Sequence, residues 1–172
     1  MPATIEQLYN FESAIETAVK SALLAAGIKE EYGIEVYTSQ DETDFQNIRP
    51  RIELEFVASA PTGHRITSNA TAYLPDSWEG TLQVALITNS SDGTSGVTDH
   101  SGWRARLRYE LDLIESTLVS DAGGDDTLLP YHSVNKFLAA GSTPTMKPED
   151  GYIESRLAYE IHFNIRPTAW PS

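Results

Sequence analysis

The stretch "VTDHSGWRARL", residues 97 to 107, sets Asp99, His100 and Ser101 side by side. A carboxylate, an imidazole and a hydroxyl are the residue types of acyl-transfer hydrolysis. That chemistry needs the hydroxyl within hydrogen-bond reach of the imidazole, with a third group orienting the base. The residues that follow have helical periodicity, and sequence neighbours at a helix start point in different directions. The expected role is therefore structural. Asp99 or Ser101 stands where an N-cap belongs, its oxygen accepting from free amides of the first turn, and Asp99 also suits the positive end of the helix dipole. No G-x-S-x-G elbow accompanies them. On this reading His100→Ala and Ser101→Ala leave function intact.

Other chemistries lack their spacing as well. His64, His100, His132 and His162 are far apart and form no H-E-x-x-H pair, so no metal site is expected. His162 falls on the polar side of an alternating strand. Asp41, Glu42 and Asp44, and again Asp121, Asp125 and Asp126, do not follow the calcium-loop pattern and read as solvated acidic loops. The glycines of "SSDGTSGV" match neither phosphate-cradling motif. Arg104, Arg106 and Arg108 are followed on the same helix by Glu110, Asp112 and Glu115, which suits salt bridges along it. The expectation is no catalytic, no cofactor-binding and no metal-binding residues.

The elements that would position any site follow from periodicity. In "TIEQLYNFESAIETAVKSALLAAGI", Ile5, Leu8, Phe11, Ile15, Val19 and Leu23 form one face of a long helix, with Thr4 and Gln7 as a capping box and Gly27 as the stop. Its opposite face, with Glu6, Asn10, Ser13, Glu16, Thr17 and Lys20, reads as solvated or partner-facing. "GIEVY" and "RIELEFVA" read as strands with one wet face, separated by a polar loop, and "SAPTGHR" reads as a turn. "WEGTLQVALIT" reads as the most buried strand. Trp103, Leu107, Leu111, Ile114 and Leu118 give a second long helix ended by Gly123 and Gly124. "HSVNKFLAAG" reads as a short helix. The closing "SRLAYEIHFNIRP" alternates strictly and predicts a long final strand. Trp78 and Trp103 suit the core, and Trp170 suits docking on a neighbour. The sum is an α+β fold with a mostly antiparallel sheet of about four strands and two long helices on one face, in a single domain over residues 1 to 172.

Composition narrows the partners. A chain of 172 residues with 40% apolar residues can bury a real core. It has no cysteine, which excludes disulfides and thiolate chemistry. Lys+Arg 12 against Asp+Glu 25 gives a formal net charge of −13, which works against binding to phosphate backbones. Glu6 and Glu12 sit where a secretory signal would be apolar, so a cytoplasmically made, soluble product without membrane contact is expected. The Asn-x-Ser/Thr matches at Asn69 and Asn89 are then chance.

The segments "FESAIETAVKSALLAAG", "RIELEF", "HSGWRARLRYELDLI", "LPYHSVNKFLAAG" and "SRLAYEIHFNIRPTAW", taken in that order, resemble the tail terminator and neck proteins of long-tailed bacteriophages. The resemblance implies a virion structural protein, not an enzyme. It implies a ring, usually of six subunits, that caps the tail tube and meets the head connector or adaptor protein, with DNA passing through without specific binding. The loops at 38 to 50 and 88 to 100 match no family pattern, so the head-side and tube-side surfaces stay unassigned. Two alternatives stand beside it: a head-completion or adaptor protein of the same neck, and a small hydrolase using Ser101 with His100 or His132.

Overall fold

The computed structural model describes residues 3–41, 50–66, 73–89, 100–119, 128–142, 152–166 and 169. Three helices come first: α1 (Ile5–Tyr9), α2 (Phe11–Ala25) and α3 (Ile28–Tyr32). The capping box at Thr4 is formed in both directions, with Gln7 N to Thr4 Oγ1 at 3.2 Å and Thr4 N to Gln7 Oε1 at 2.9 Å. The single long helix expected here is broken, because Asn10 takes a non-helical conformation between α1 and α2. Gly27 stops α2 in the left-handed region at φ 84°, and Gly33 does the same for α3 at φ 67°.

The strands β1 (Glu35–Thr38), β2 (Arg51–Ile66), β3 (Tyr73–Asn89), β4 (His132–Ser142) and β5 (Tyr152–Ile165) form one five-stranded sheet in the order β1-β2-β3-β5-β4. The sheet is mixed. β1 pairs with β2 in parallel, over Glu35–Arg51 to Thr38–Leu54, and every other pairing is antiparallel. The expected sheet, mostly antiparallel and of about four strands, is mostly antiparallel but gains a parallel pair and a fifth strand. The polar stretch between β1 and β2 is about a dozen residues long, which is the length a parallel crossover needs and a hairpin does not. The fifth strand is β4, where a short helix was expected. Val134 and Phe137 are three apart, which reads as helical spacing, but a bulge between Val134 and Lys136 lets a strand place both in the core.

The expected turn "SAPTGHR" is also strand. β2 continues through Pro61 to Ile66, paired with β3 across two register shifts, and the proline is tolerated because no strand lies outside β2 there among the described residues. Helix α4 (His100–Leu118) follows β3 and buries Trp103, Leu107, Leu111, Ile114 and Leu118, the line its periodicity predicts. Along β5, Leu157, Tyr159, Ile161, Phe163 and Ile165 are all buried, as their alternation requires. With Ile52, Leu54, Leu82, Val84 and Leu86 they form the sheet side of one core cluster, which α2 and α4 cover. Trp78 lies in that core against Phe11 and Phe163, with ring centroids 4.8 and 6.0 Å away, and those two rings also meet each other at 5.0 Å.

Candidate functional site

His100 is already helical in α4, which puts Ser101 inside the helix rather than at its N-cap. Ser101 is exposed while His100 is buried, so the two neighbours diverge. Asp99 lies outside the described residues. His100 instead reaches two hydroxyls on the sheet: Thr88 Oγ1 lies 2.9 Å from Nδ1, and Ser155 Oγ lies 2.7 Å from Nε2. A neutral imidazole donates from one nitrogen and accepts at the other, and a hydroxyl can take either part.

A serine, an imidazole and a second hydroxyl in line have the outline of a nucleophile, a base and an orienting group. Ser155 is fully buried, however, and the grooves described below are lined by none of the three. What the cluster does is mechanical. It fastens the first turn of α4 across the ends of β3 and β5. The sequence carried half of this signal, since Thr88 and Ser155 occupy core-facing positions of otherwise apolar alternations.

The other histidines are spread out as the sequence suggests. His132, on β4, donates from Nε2 to the Leu8 carbonyl at 2.8 Å and so ties α1 to the sheet. Burial pushes its pKa below the ordinary value, the Leu8 bond pulls it back in part, and Arg166 lowers it further. His162 lies on the sheet face away from the helices, 2.6 Å from Glu160 Oε1, which also accepts from Lys136 Nζ at 2.9 Å. These two hydrogen bonds hold the Glu160 carboxyl below its usual range. The side chain of His64 lies outside the described set, as do Glu42, Asp44, Asp121, Asp125, Asp126 and Trp170. Among the described residues no three His, Asp or Glu converge as a metal site would require.

Two acidic residues do work that their positions in sequence did not reveal. Glu16, expected on the wet face of the helix, is 1% exposed. One of its oxygens accepts from Ser39 N and Oγ, at 3.2 and 2.6 Å, and the other accepts from the Phe56 amide at 3.0 Å. Asp41 closes the turn after β1 by accepting from Thr38 N at 2.6 Å and from Lys20 Nζ at 3.2 Å. Burial alone would raise the Asp41 carboxyl, but the Thr38 amide and Lys20 outweigh it and leave its pKa lowered. The expected salt-bridge role holds for Arg106, which meets Glu110 at 2.7 Å and Glu31 at 3.5 Å.

The open surfaces are shallow and small-residue-rich. A trough of about 350 Å³ lies between the α1–α2 face, with Ser13, Ala14 and Thr17, and the segment bearing Leu128 and Pro130. Leu128 also borders a second groove of about 410 Å³ between α2 and α4, lined by Ala22, Ala25 and Leu113. Large apolar side chains lie open elsewhere: Val57 on β2 is 51% exposed, and Tyr109 on α4 is 58% exposed.

No protein-family model and no curated protein matches the chain. Among solved structures it is similar to a chain described as "Virion of native gene transfer agent (GTA) particle", at 14% identity and a TM-score of 0.54, over 91% of this chain and 98% of that one. The likeness is one of fold. A second solved chain, at 13% identity and a TM-score of 0.52, covers 93% of this chain and 97% of its own length. Both matches run nearly end to end, so the whole arrangement of helices and mixed sheet is shared rather than one fragment of it. No helix among the described residues is long and apolar enough to cross a membrane.

Proposed function

We propose that this chain is a virion structural protein that assembles with copies of itself into a closed ring, six by the resemblance of its sequence to tail terminators. The ring caps the tail tube and joins it to the head connector, and the chain is not an enzyme. The observation that carries this reading is the end-to-end likeness to a chain of a gene transfer agent virion, 91% of one and 98% of the other. Three features support it. The one serine–imidazole pair among the described residues is buried, the open surfaces are shallow grooves and exposed apolar side chains, and the net charge of −13 suits a wall that DNA passes without sticking.

The partners are then the chain itself, the tail tube protein and the head-connector or adaptor protein, with no cofactor, and the place of action is the neck of the virion. Deleting the gene tests this. The expected products are filled heads and separate tails, restored to whole particles by the protein supplied from a plasmid. Whole, infectious particles made without the protein contradict it.

A further inference from the structure

Two features on opposite flanks of α2 fit each other. On one flank, Glu12 and Glu16 hold β2: Ser59 Oγ lies 3.1 Å from Glu12 Oε1, and the Phe56 amide lies 3.0 Å from Glu16 Oε1. Beyond that point β2 has no strand on its outer side among the described residues, because β1 pairs only as far as Leu54. Its inner partner β3 is paired with β5 only from Ser77 onward. Residues 63–66 and 73–76 therefore continue as a ribbon of two strands past the body of the sheet.

A two-stranded ribbon is marginal in water by itself and gains stability by packing on something. Strand addition along its edge is disfavoured, since Pro61 and the register shifts after Phe56, Pro61 and Gly63 break the ladder. Its side-chain faces are what it can offer. At the base these are small and apolar, with Val57, Ala58 and Ala60 all exposed. Residues 56–75 contain no Asp or Glu, and Arg65 is the only full charge among them, in a chain with 25 acidic residues.

The other flank of α2 is its counterpart. At 100° per residue, Ala14 and Thr17 face away from Glu12 and Glu16, and Ser13 stands at the edge of that flank. They line the trough of about 350 Å³ whose one formal charge among the described residues is Glu6, with Leu128 and Pro130 as its far wall. A ribbon lacking carboxylates suits a trough of small and polar side chains whose described lining carries one carboxylate, and an acidic ribbon would not.

We propose that the β2–β3 arm of one copy lies in the α1–α2 trough of the next. Arm and trough occupy different flanks of the same subunit, so the contact is head-to-tail, the kind that closes into a ring when the rotation allows. This assignment rests on the ring reading above and names its interface.

The natural absence of cysteine makes the test direct. Ala60→Cys places a thiol on the arm and Thr17→Cys places one in the trough, both at exposed positions. A thermal melt matching that of the parent chain establishes that each variant folds. After treatment with a short thiol-specific cross-linker, each variant alone is expected to stay at monomer mass in a denaturing gel. The two variants co-expressed are expected to shift to a covalent dimer, and the doubly substituted chain to a ladder of higher multiples. Rings seen by electron microscopy without the dimer overturn the arm placement and leave the ring reading standing. No rings at all overturn both.

Discussion

The Glu16 carboxylate accepts the Phe56 amide proton at 3.0 Å, across 40 positions of sequence, and through its other oxygen holds Ser39. One side chain of α2 thus fixes both the turn after β1 and the first bulge of β2. Glu16→Ala removes a buried charged acceptor and leaves the Phe56 amide without it, which costs about 2–4 kcal/mol. Glu16→Gln keeps an acceptor and is expected to lose less. Chemical denaturation of the two variants checks the order, and an unchanged midpoint for Glu16→Ala contradicts this role.

His100 and Ser101 are expected to behave oppositely despite being neighbours. His100→Ala removes the bonds to Thr88 and Ser155 and opens a cavity, for a loss of about 2–4 kcal/mol. Ser101→Ala, at an exposed position, stays within about 0.5 kcal/mol of the parent. Thermal melts of both variants decide the matter. Equal stability of the two would mean that the buried cluster does not fasten α4.

At Gly80 the chain has no room for a side chain. A Cβ there would lie 2.7 Å from Phe56 Cε1 and 2.8 Å from the Ala58 carbonyl oxygen. Gly80→Ala therefore strains the pairing of β2 and β3 just where the arm begins, at a cost of about 1–3 kcal/mol. A Gly80→Ala protein that melts with the parent chain would show that the strands can separate there without loss.

Much of this was legible in the sequence. The capping box at Thr4, the buried line of α4 and the alternation of β5 were readable because each depends on residues close in sequence. The misread segments depended on distant partners. A bulge disguised β4 as a helix, and pairing with β3 carried β2 through a proline that locally signals a turn. Glu16 looked solvated because its hydrogen-bond partners, Ser39 and Phe56, are 23 and 40 positions away. That His100 and Ser101 diverge was readable from the helical periodicity, but the serine that His100 does meet is 55 positions on. The trough was illegible for a similar reason, since α1–α2 and Leu128 meet only in the fold.

His132 gives the fold a pH dependence of known sign. Its folded pKa is depressed, chiefly by burial, so the unfolded chain takes up the proton first as pH falls. The stabilising contribution is present above the ordinary value of about 6.5 and is lost as pH falls from there toward the folded value. His132→Gln retains a donor for the Leu8 carbonyl and removes the titration. Urea midpoints between about pH 7 and pH 5 are expected to fall less steeply in the variant. Parallel profiles in variant and parent would show that His132 does not set this slope.

The central claim is that this chain works as a ring of identical subunits, and electron microscopy of the purified protein tests it most directly. The account predicts closed rings of six with a central opening, seen alone or seated on the end of tail tubes. A protein that stays monomeric at high concentration, and that remains monomeric when tail tubes are added, contradicts it.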